Sequence, residues 1–237
     1  MPSPVQSRSV SVVMPCFNEE GNVLHTIDRT LEALGRLAPE FELLVVNDGS
    51  TDRTAALVRE HRGGDARVRL LEHDRNRGQG AAIATGLAGS RCDLIFTLCA
   101  DGQFDPEEYE LFLQEVDRGD VLLGYRVSRA EPFRRRMVSR CYRWLIRGLF
   151  GLSVRDAGWI KMFRREHLSR LRFESTGFFW ETEVLVLARD AGLSIHEVPV
   201  HSYPRESGEA KGAKLGRIVE AFSRTMAFWW GRLGKRR

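Results

Sequence analysis

An α/β protein with a mostly parallel central sheet flanked by helices is predicted by three features of this sequence. Short apolar runs of strand length alternate with helical periodicity up to about residue 125, and each run ends in a loop rich in turn residues. No internal repeat or low-complexity tract interrupts the alternation. The 237 residues are enough to bury one sizeable core, and 43% hydrophobic with 29% charged residues is ordinary for a globular chain.

The elements follow in order. SVSVVM (9–14) is β-rich and closed by Pro15, and Glu19 to Leu37 has Val23, Ile27, Leu31 and Leu34 at helical spacing. FELLVVN (41–47) is a continuous apolar run, followed by DGST and a helix from about Asp52. ARVRLLEH alternates as a strand, Arg77 to Ser90 reads as a helix, and CDLIFTL (92–98) as a buried strand. DVLLGYR (120–126) closes this half. Beyond it come a basic helix from about Pro132, VRDAGWIKMFRR returning to the sheet, a helix over ETEVLVLARDAG and a strand in LSIHEVPVHSY. The polar stretch PRESGEAKGAK precedes a last amphipathic helix. Buried strands joined by helices imply right-handed crossovers, and ligands of such sheets bind beyond the strand C-termini. The loops there are PCFNEEGN, NDGSTD, CADGQFDP and the region of Arg126, which hold most acidic and special-geometry residues of this half.

Several classes are set aside. The start MPSPVQSR lacks the basic and apolar segments of a secretory signal, and no run reaches the roughly 18 apolar residues of a membrane span. Four cysteines (Cys16, Cys92, Cys99, Cys141) have no C-x-x-C spacing, so neither zinc nor a disulfide framework is expected, and reduced thiols fit the cytoplasm. The net charge of +4 is mild, and no nucleic-acid partner is expected. A dinucleotide-binding oxidoreductase does not fit, because the first strand is followed by PCFNEEGN and not by G-x-G-x-x-G.

Asp101 and Gln103 stand two apart on a post-strand loop. A departing nucleotide diphosphate develops negative charge, and a divalent cation bridging its oxygens stabilises it. Mg2+ or Mn2+ takes oxygen ligands, so a carboxylate and an amide oxygen suffice beside phosphate oxygens and water. Taken alone, the same residues are a DG turn. VVMPCFNEEGN, VVNDGSTDRT, NRGQGAAIATGL and ADGQFDP, in that order, closely resemble the family-2 glycosyltransferases of the GT-A nucleotide-diphospho-sugar transferase fold, in particular the dolichyl- or polyprenyl-phosphate mannosyl- and glucosyltransferases. The resemblance runs from about residue 9 to about residue 212.

It implies that Pro15, Phe17, Glu19, Val46 and Asp48 surround the nucleoside, that Gly78 lies beside the donor, and that Asp101 and Gln103 hold the metal. Helix-start packing explains Gly78 and Gly80 equally well, and Asp52 reads as a helix N-cap. Where relatives have D-x-D this chain has Cys99 first, and a thiol is a poor ligand for hard cations. On the acceptor side the resemblance assigns the acceptor phosphate to Arg126, Arg135 and Ser139, with Tyr125 replacing the family's Ser. It places Asp156 near the reacting centre, and Asp101 and Asp156 are the candidate catalytic residues. It makes Arg205 and Lys211 a lid over the diphosphate, for which an incidental surface loop is the alternative. Glu181 and Glu183 are either part of this region or helix N-terminal carboxylates.

Arg136, Arg140, Arg143 and Arg147 share one helical face, with Met137, Cys141, Trp144, Leu145 and Leu149 on an apolar side. Leu215, Ile218, Val219, Phe222, Met226, Trp229 and Leu233 form a stripe on the last helix. Both helices suit either an anionic membrane surface or ordinary docking on the core. The expected organisation is a single glycosyltransferase domain over 1–237: a nucleotide-sugar half (9–126), an acceptor half (127–212) and a basic helix (213–237). The expected activity is inverting transfer of a hexose from a donor of GDP-mannose or UDP-glucose type to a polyprenyl phosphate. The expected place is the cytoplasmic membrane face, by peripheral contact or through a separate membrane subunit. A hydroxyl acceptor, or a non-catalytic nucleotide-sugar-binding subunit, is the alternative.

Overall fold

The computed structural model describes residues 8–62, 64–127, 133–203 and 215–234. Seven strands form one sheet in the order β3-β2-β1-β4-β6-β5-β7. They are β1 (Val10–Cys16), β2 (Phe41–Asn47), β3 (Val68–Glu72), β4 (Leu94–Thr97), β5 (Val121–Arg126), β6 (Lys161–Arg164) and β7 (Ile195–Val200). β1 lies parallel to β2 and β4, β2 to β3, and β5 to β7, whereas β6 runs antiparallel to both β4 and β5. The sheet is thus mostly parallel and buried on both faces, which is why its strands read as continuous apolar runs.

Alternation along β1 separates the cores. Val10, Val12, Met14 and Cys16 pack beneath α1 (Val23–Leu37) and α4 (Tyr109–Gln114), while Val13 faces α3 (Gln79–Gly89) and α6 (Trp180–Asp190). A Cβ on Gly86 would stand 2.1 Å from Val13 Cγ1, so a glycine there lets α3 lie directly on the sheet. α2 (Thr54–Arg62) completes the first layer. α5 (Phe133–Phe150) and α7 (Leu215–Gly234) pack together through Tyr142 against Phe222 and Phe150 against Phe228.

Three local expectations change. α1 begins at Val23, four residues later than its periodicity suggests, because 17–22 is a turn with Asn18 in the left-handed region (φ 52°). Asn tolerates that region, and here its Oδ1 accepts from Thr51 N while its own N–H donates to Ser50 Oγ. α4, with 3-10 turns on either side, was not foreseen; at 6 residues it is too short to show periodicity. It is held by the aromatic cluster of Phe96, Phe104, Tyr109 and Phe112. On α5 Ile146 and Phe150 are buried and Leu149 packs against the same core, whereas Met137 and Trp144 are 42% and 72% exposed, so the expected apolar side is divided between core and solvent.

Candidate active site

The C-terminal ends of β1, β2, β4 and β5 open into one cleft of about 600 Å3. The order of strands reverses at β1, between β2 and β4, the place where parallel sheets bind ligands. Pro15, Phe17 and Glu19 enter from the β1 loop, Asp48 from the β2 loop, Gly78 from the start of α3, Asp101 and Gln103 from the β4 loop, and Arg126 from the end of β5.

The loops are cross-braced. Asp52 Oδ1 accepts from Thr54 N at 2.9 Å and its Oδ2 from Glu20 N at 3.2 Å, while Glu20 returns a carboxylate to Arg53 N. α2 starts at Thr54, so Asp52 serves the first helical N–H from two residues upstream. Its pKa lies below the ordinary value, burial being outweighed by these hydrogen bonds. Asp48 is buried and accepts from His73 Nδ1 at 2.7 Å, Arg77 N at 2.9 Å and Gly78 N at 2.8 Å. His73 Nε2 pairs in turn with Thr85 Oγ1 on α3. Asp48 thereby fixes the 76–78 turn that borders the cleft.

Gly78 and Gly80 make room for the 174–177 loop. A Cβ on Gly78 (φ 98°) would lie 2.4 Å from the Thr176 carbonyl, and one on Gly80 2.1 Å from the Ser175 carbonyl. Gly80 N donates to Thr176 O at 2.7 Å. Glu183 holds the same loop by accepting from Glu174 N and Ser175 N, each at 3.0 Å. Glu183 is therefore structural, while Glu181, two residues earlier and on the opposite side of α6, lines the cleft.

Asp101 is 7% exposed, and its Oδ1 accepts from Gln103 N at 3.1 Å; Gln103 Nε2 donates to the Tyr203 carbonyl at 3.3 Å. Cys99 Sγ, exposed beside them, receives Gln79 Nε2 at 3.6 Å. No group of three His, Cys, Asp or Glu with metal-binding geometry occurs among the described residues. One carboxylate and one amide oxygen fit a hard cation only if other oxygens, such as those of a diphosphate and water, complete its shell.

Arg126 Nε donates to Asp156 Oδ2 at 2.7 Å, and its guanidinium lies 4.7 Å from the Trp159 ring centroid. Asp156, 6% exposed, stands behind Arg126 and not among the cleft-lining residues. Its carboxylate accepts from Arg126 Nε and from Gly158 N at 3.3 Å, so it borders the cleft through Arg126. Glu181 is the carboxylate on that wall. Burial, only partly countered by Lys161, raises its pKa to about 7.

Val46 departs from expectation. Its side chain is fully buried with Val13 and Leu44, because it points into the core beneath α3. Ser139 is half-buried on α5 and does not line the cleft. Arg135 lies in α5 with its side chain outside the described set, and Arg205 and Lys211 lie outside the described residues. Sequence reasoning missed Gln79, Trp159 and Lys161. The one available signal was Lys161 itself, a charge set between the apolar pairs Trp159–Ile160 and Met162–Phe163.

The family model described as glycosyl transferase family 2 matches residues 11–186. An undecaprenyl-phosphate 4-deoxy-4-formamido-L-arabinose transferase of Edwardsiella ictaluri is 35% identical over 205 residues, covering 85% of this chain and 62% of that protein. A dodecaprenyl-phosphate galacturonate synthase of Rhizobium johnstonii is 33% identical over 217 residues, covering 88% of this chain and 63% of that one. The chain thus spans less than two thirds of the length of these relatives. Among solved structures, glucosyl-3-phosphoglycerate synthase from Mycobacterium tuberculosis, in complex with Mn2+, uridine diphosphate and glucosyl-3-phosphoglycerate, superposes with a TM-score of 0.72 at 22% identity, over 94% of this chain and 80% of that one. The same enzyme with Mg2+ and uridine diphosphate gives 0.71 at 19% identity, over 94% and 80%. At that identity the likeness speaks for the fold.

Proposed function

The chain belongs to glycosyl transferase family 2, and from that premise we propose that it moves a hexose from a nucleotide-diphosphate sugar to the phosphate of a polyprenyl phosphate, with inversion, at the cytoplasmic membrane face. The observation that carries this reading is a single cleft combining the loops of the parallel strands, with Asp48, Asp101 and Gln103, and a guanidinium, Arg126, oriented by a buried carboxylate. The two relatives above are by name polyprenyl-phosphate sugar transferases, which supports the acceptor class.

In this reading Pro15, Phe17, Glu19 and the turn fixed by Asp48 receive the nucleoside. Asp101 and Gln103 would hold Mg2+ or Mn2+, which when bound neutralises charge on the leaving diphosphate. Arg126 attracts the acceptor phosphate; Asp156 keeps its guanidinium in place. An acceptor oxygen forms the new bond to the anomeric carbon as the bond to the diphosphate oxygen breaks. A phosphate monoester, with a second pKa of about 6, is already ionised near neutrality and needs no base. Arg205, Lys211, Arg135 and Ser139 keep their expected roles as proposals, and the nucleotide-sugar half (9–126) and acceptor half (127–212) keep theirs.

A hydroxyl acceptor is the second reading, favoured by Glu181, a cleft carboxylate titrating at about 7. A panel of nucleotide sugars, with and without divalent cation and a short polyprenyl phosphate, tests the proposal. Cation-dependent donor turnover stimulated by the lipid phosphate is expected. Donor turnover without stimulation would favour another acceptor, donor binding without turnover would favour a non-catalytic nucleotide-sugar-binding subunit, and no donor binding would contradict all three.

A further inference from the structure

Lys161 opens β6 with 0% of its surface exposed, the most deeply buried charged residue among those described. Alternation places it on the face of Phe163, toward α6, while Met162 enters the opposite core. Its Nζ donates to the Trp159 carbonyl at 2.9 Å and lies 5.0 Å from the centroid of the Trp180 ring. A carbonyl and a ring face do not offset the desolvation of an ammonium; a carboxylate is needed. Burial pushes the Lys161 pKa below the ordinary lysine value, and two carboxylates, Glu181 and Asp156, oppose that shift and favour the ammonium. Asp156 is already engaged by Arg126, whereas Glu181 has no hydrogen-bonded cation among the described residues. A Cβ on Gly158 would stand 2.7 Å from Glu181 Oε2, so the backbone at 158 closes on this carboxylate.

We infer that Lys161 is a positioning residue for the reaction: its buried ammonium governs the charge of the Glu181 carboxylate, and through it the preference of the cleft for an acceptor that is already ionised. The acceptor part rests on the function proposed above. Arg126 and Lys161 face Asp156 and Glu181, so the four carry a net positive charge when Glu181 is protonated and none when it is ionised. The first form suits a phosphate acceptor; the second suits a hydroxyl, whose proton a carboxylate must take. Burial raises the Glu181 carboxyl, Lys161 and Arg126 hold it back, and Asp156 adds to the rise. Tyr142 of α5 also faces Glu181, Glu220 of α7 lines the same cleft, and the Cys99 thiol faces Lys161.

The test is the dependence of kcat and kcat/KM on pH, from about 5 to about 9, for wild type, Lys161→Met, Glu181→Gln and the double variant. Wild type is expected to show a limb near pH 7. Lys161→Met should move that limb upward by about one pH unit, since a neighbouring cation is lost, and both Glu181→Gln variants should lack it. A limb that falls with rising pH fits the phosphate acceptor and one that rises fits a hydroxyl; its displacement tests Lys161 in either case. A uniform loss in Lys161→Met with the limb unmoved, or a limb that persists in Glu181→Gln, overturns the inference. If Lys161→Met does not fold, the double variant decides. Recovery of folded protein supports the electrostatic role, and no recovery contradicts it.

Discussion

The carboxylates in and behind the cleft differ in what surrounds them, and their roles divide accordingly. Asp48 is surrounded by one imidazole and two backbone N–H groups, Asp156 by a guanidinium and one N–H, and Asp101 lies beside the Gln103 amide. Replacing Asp101 with Ala is expected to abolish transfer, while Cys99→Asp keeps or raises it, measured as turnover at saturating cation; full turnover by Asp101→Ala would end the metal assignment. Asp156→Asn is expected to give a small loss, because Asn still supplies an oxygen to Arg126, and to move the limb near pH 7 downward, because a neighbouring negative charge is lost. A near-complete loss would make Asp156 a base. Glu181 also bears on stability. Its folded pKa of about 7 lies above the ordinary carboxyl value of 4.5, so the folded state binds the extra proton between those limits. Stability therefore falls as pH rises across that window, and thermal melts of Glu181→Gln should lack this slope. The residues on loops after strands were legible because acidic and turn residues interrupt apolar runs there. Lys161 and Trp159 were not: the return of VRDAGWIKMFRR to the sheet is legible, but not that it runs antiparallel and buries Lys161.

At the level of elements, the start of α3 and the 174–177 loop approach one another only across glycine. Gly80→Ala should force the loop away from Thr176 and Ser175, destabilising by about 1–3 kcal/mol as overpacking does, with a raised KM for donor. Urea unfolding together with donor titration checks both; an unchanged midpoint would show that the loop yields freely. Strands β2 and β5 were readable almost to the residue because buried parallel strands are continuous apolar runs. α4 was not, being six residues held by tertiary aromatic contacts. α5 is divided: Tyr142 and Phe150 meet α7, Ile146 and Leu149 join the core, and Met137 and Trp144 stay outside, a division its apolar pattern alone does not specify.

Across the whole molecule, exposed apolar residues gather on these same two helices: Met137 and Trp144 on α5, and Val219, Met226 and Trp230 on α7. Exposed Arg140, Arg147 and Arg224 stand among them. No helix of the described residues is long and apolar enough to cross a membrane. Tryptophan among arginines suits an anionic bilayer surface, and sedimentation with anionic vesicles is expected to lose most of its strength in a Trp144→Ser, Trp230→Ser variant while neutral vesicles bind weakly throughout. Equal binding by the variant would move the lipid contact elsewhere. The parallel half and its ligand-binding edge were visible in the sequence from spacing alone; the joining of β5, β6 and β7 to that edge depends on an antiparallel return that no local pattern announces. The most direct measurement is transfer of a labelled hexose from its nucleotide-diphosphate donor to polyprenyl phosphate, set beside the same lipid as a free alcohol. Label is expected on the phosphate lipid alone and lost in Asp101→Ala; label on the free alcohol, or equal label on both, would contradict a lipid-phosphate acceptor.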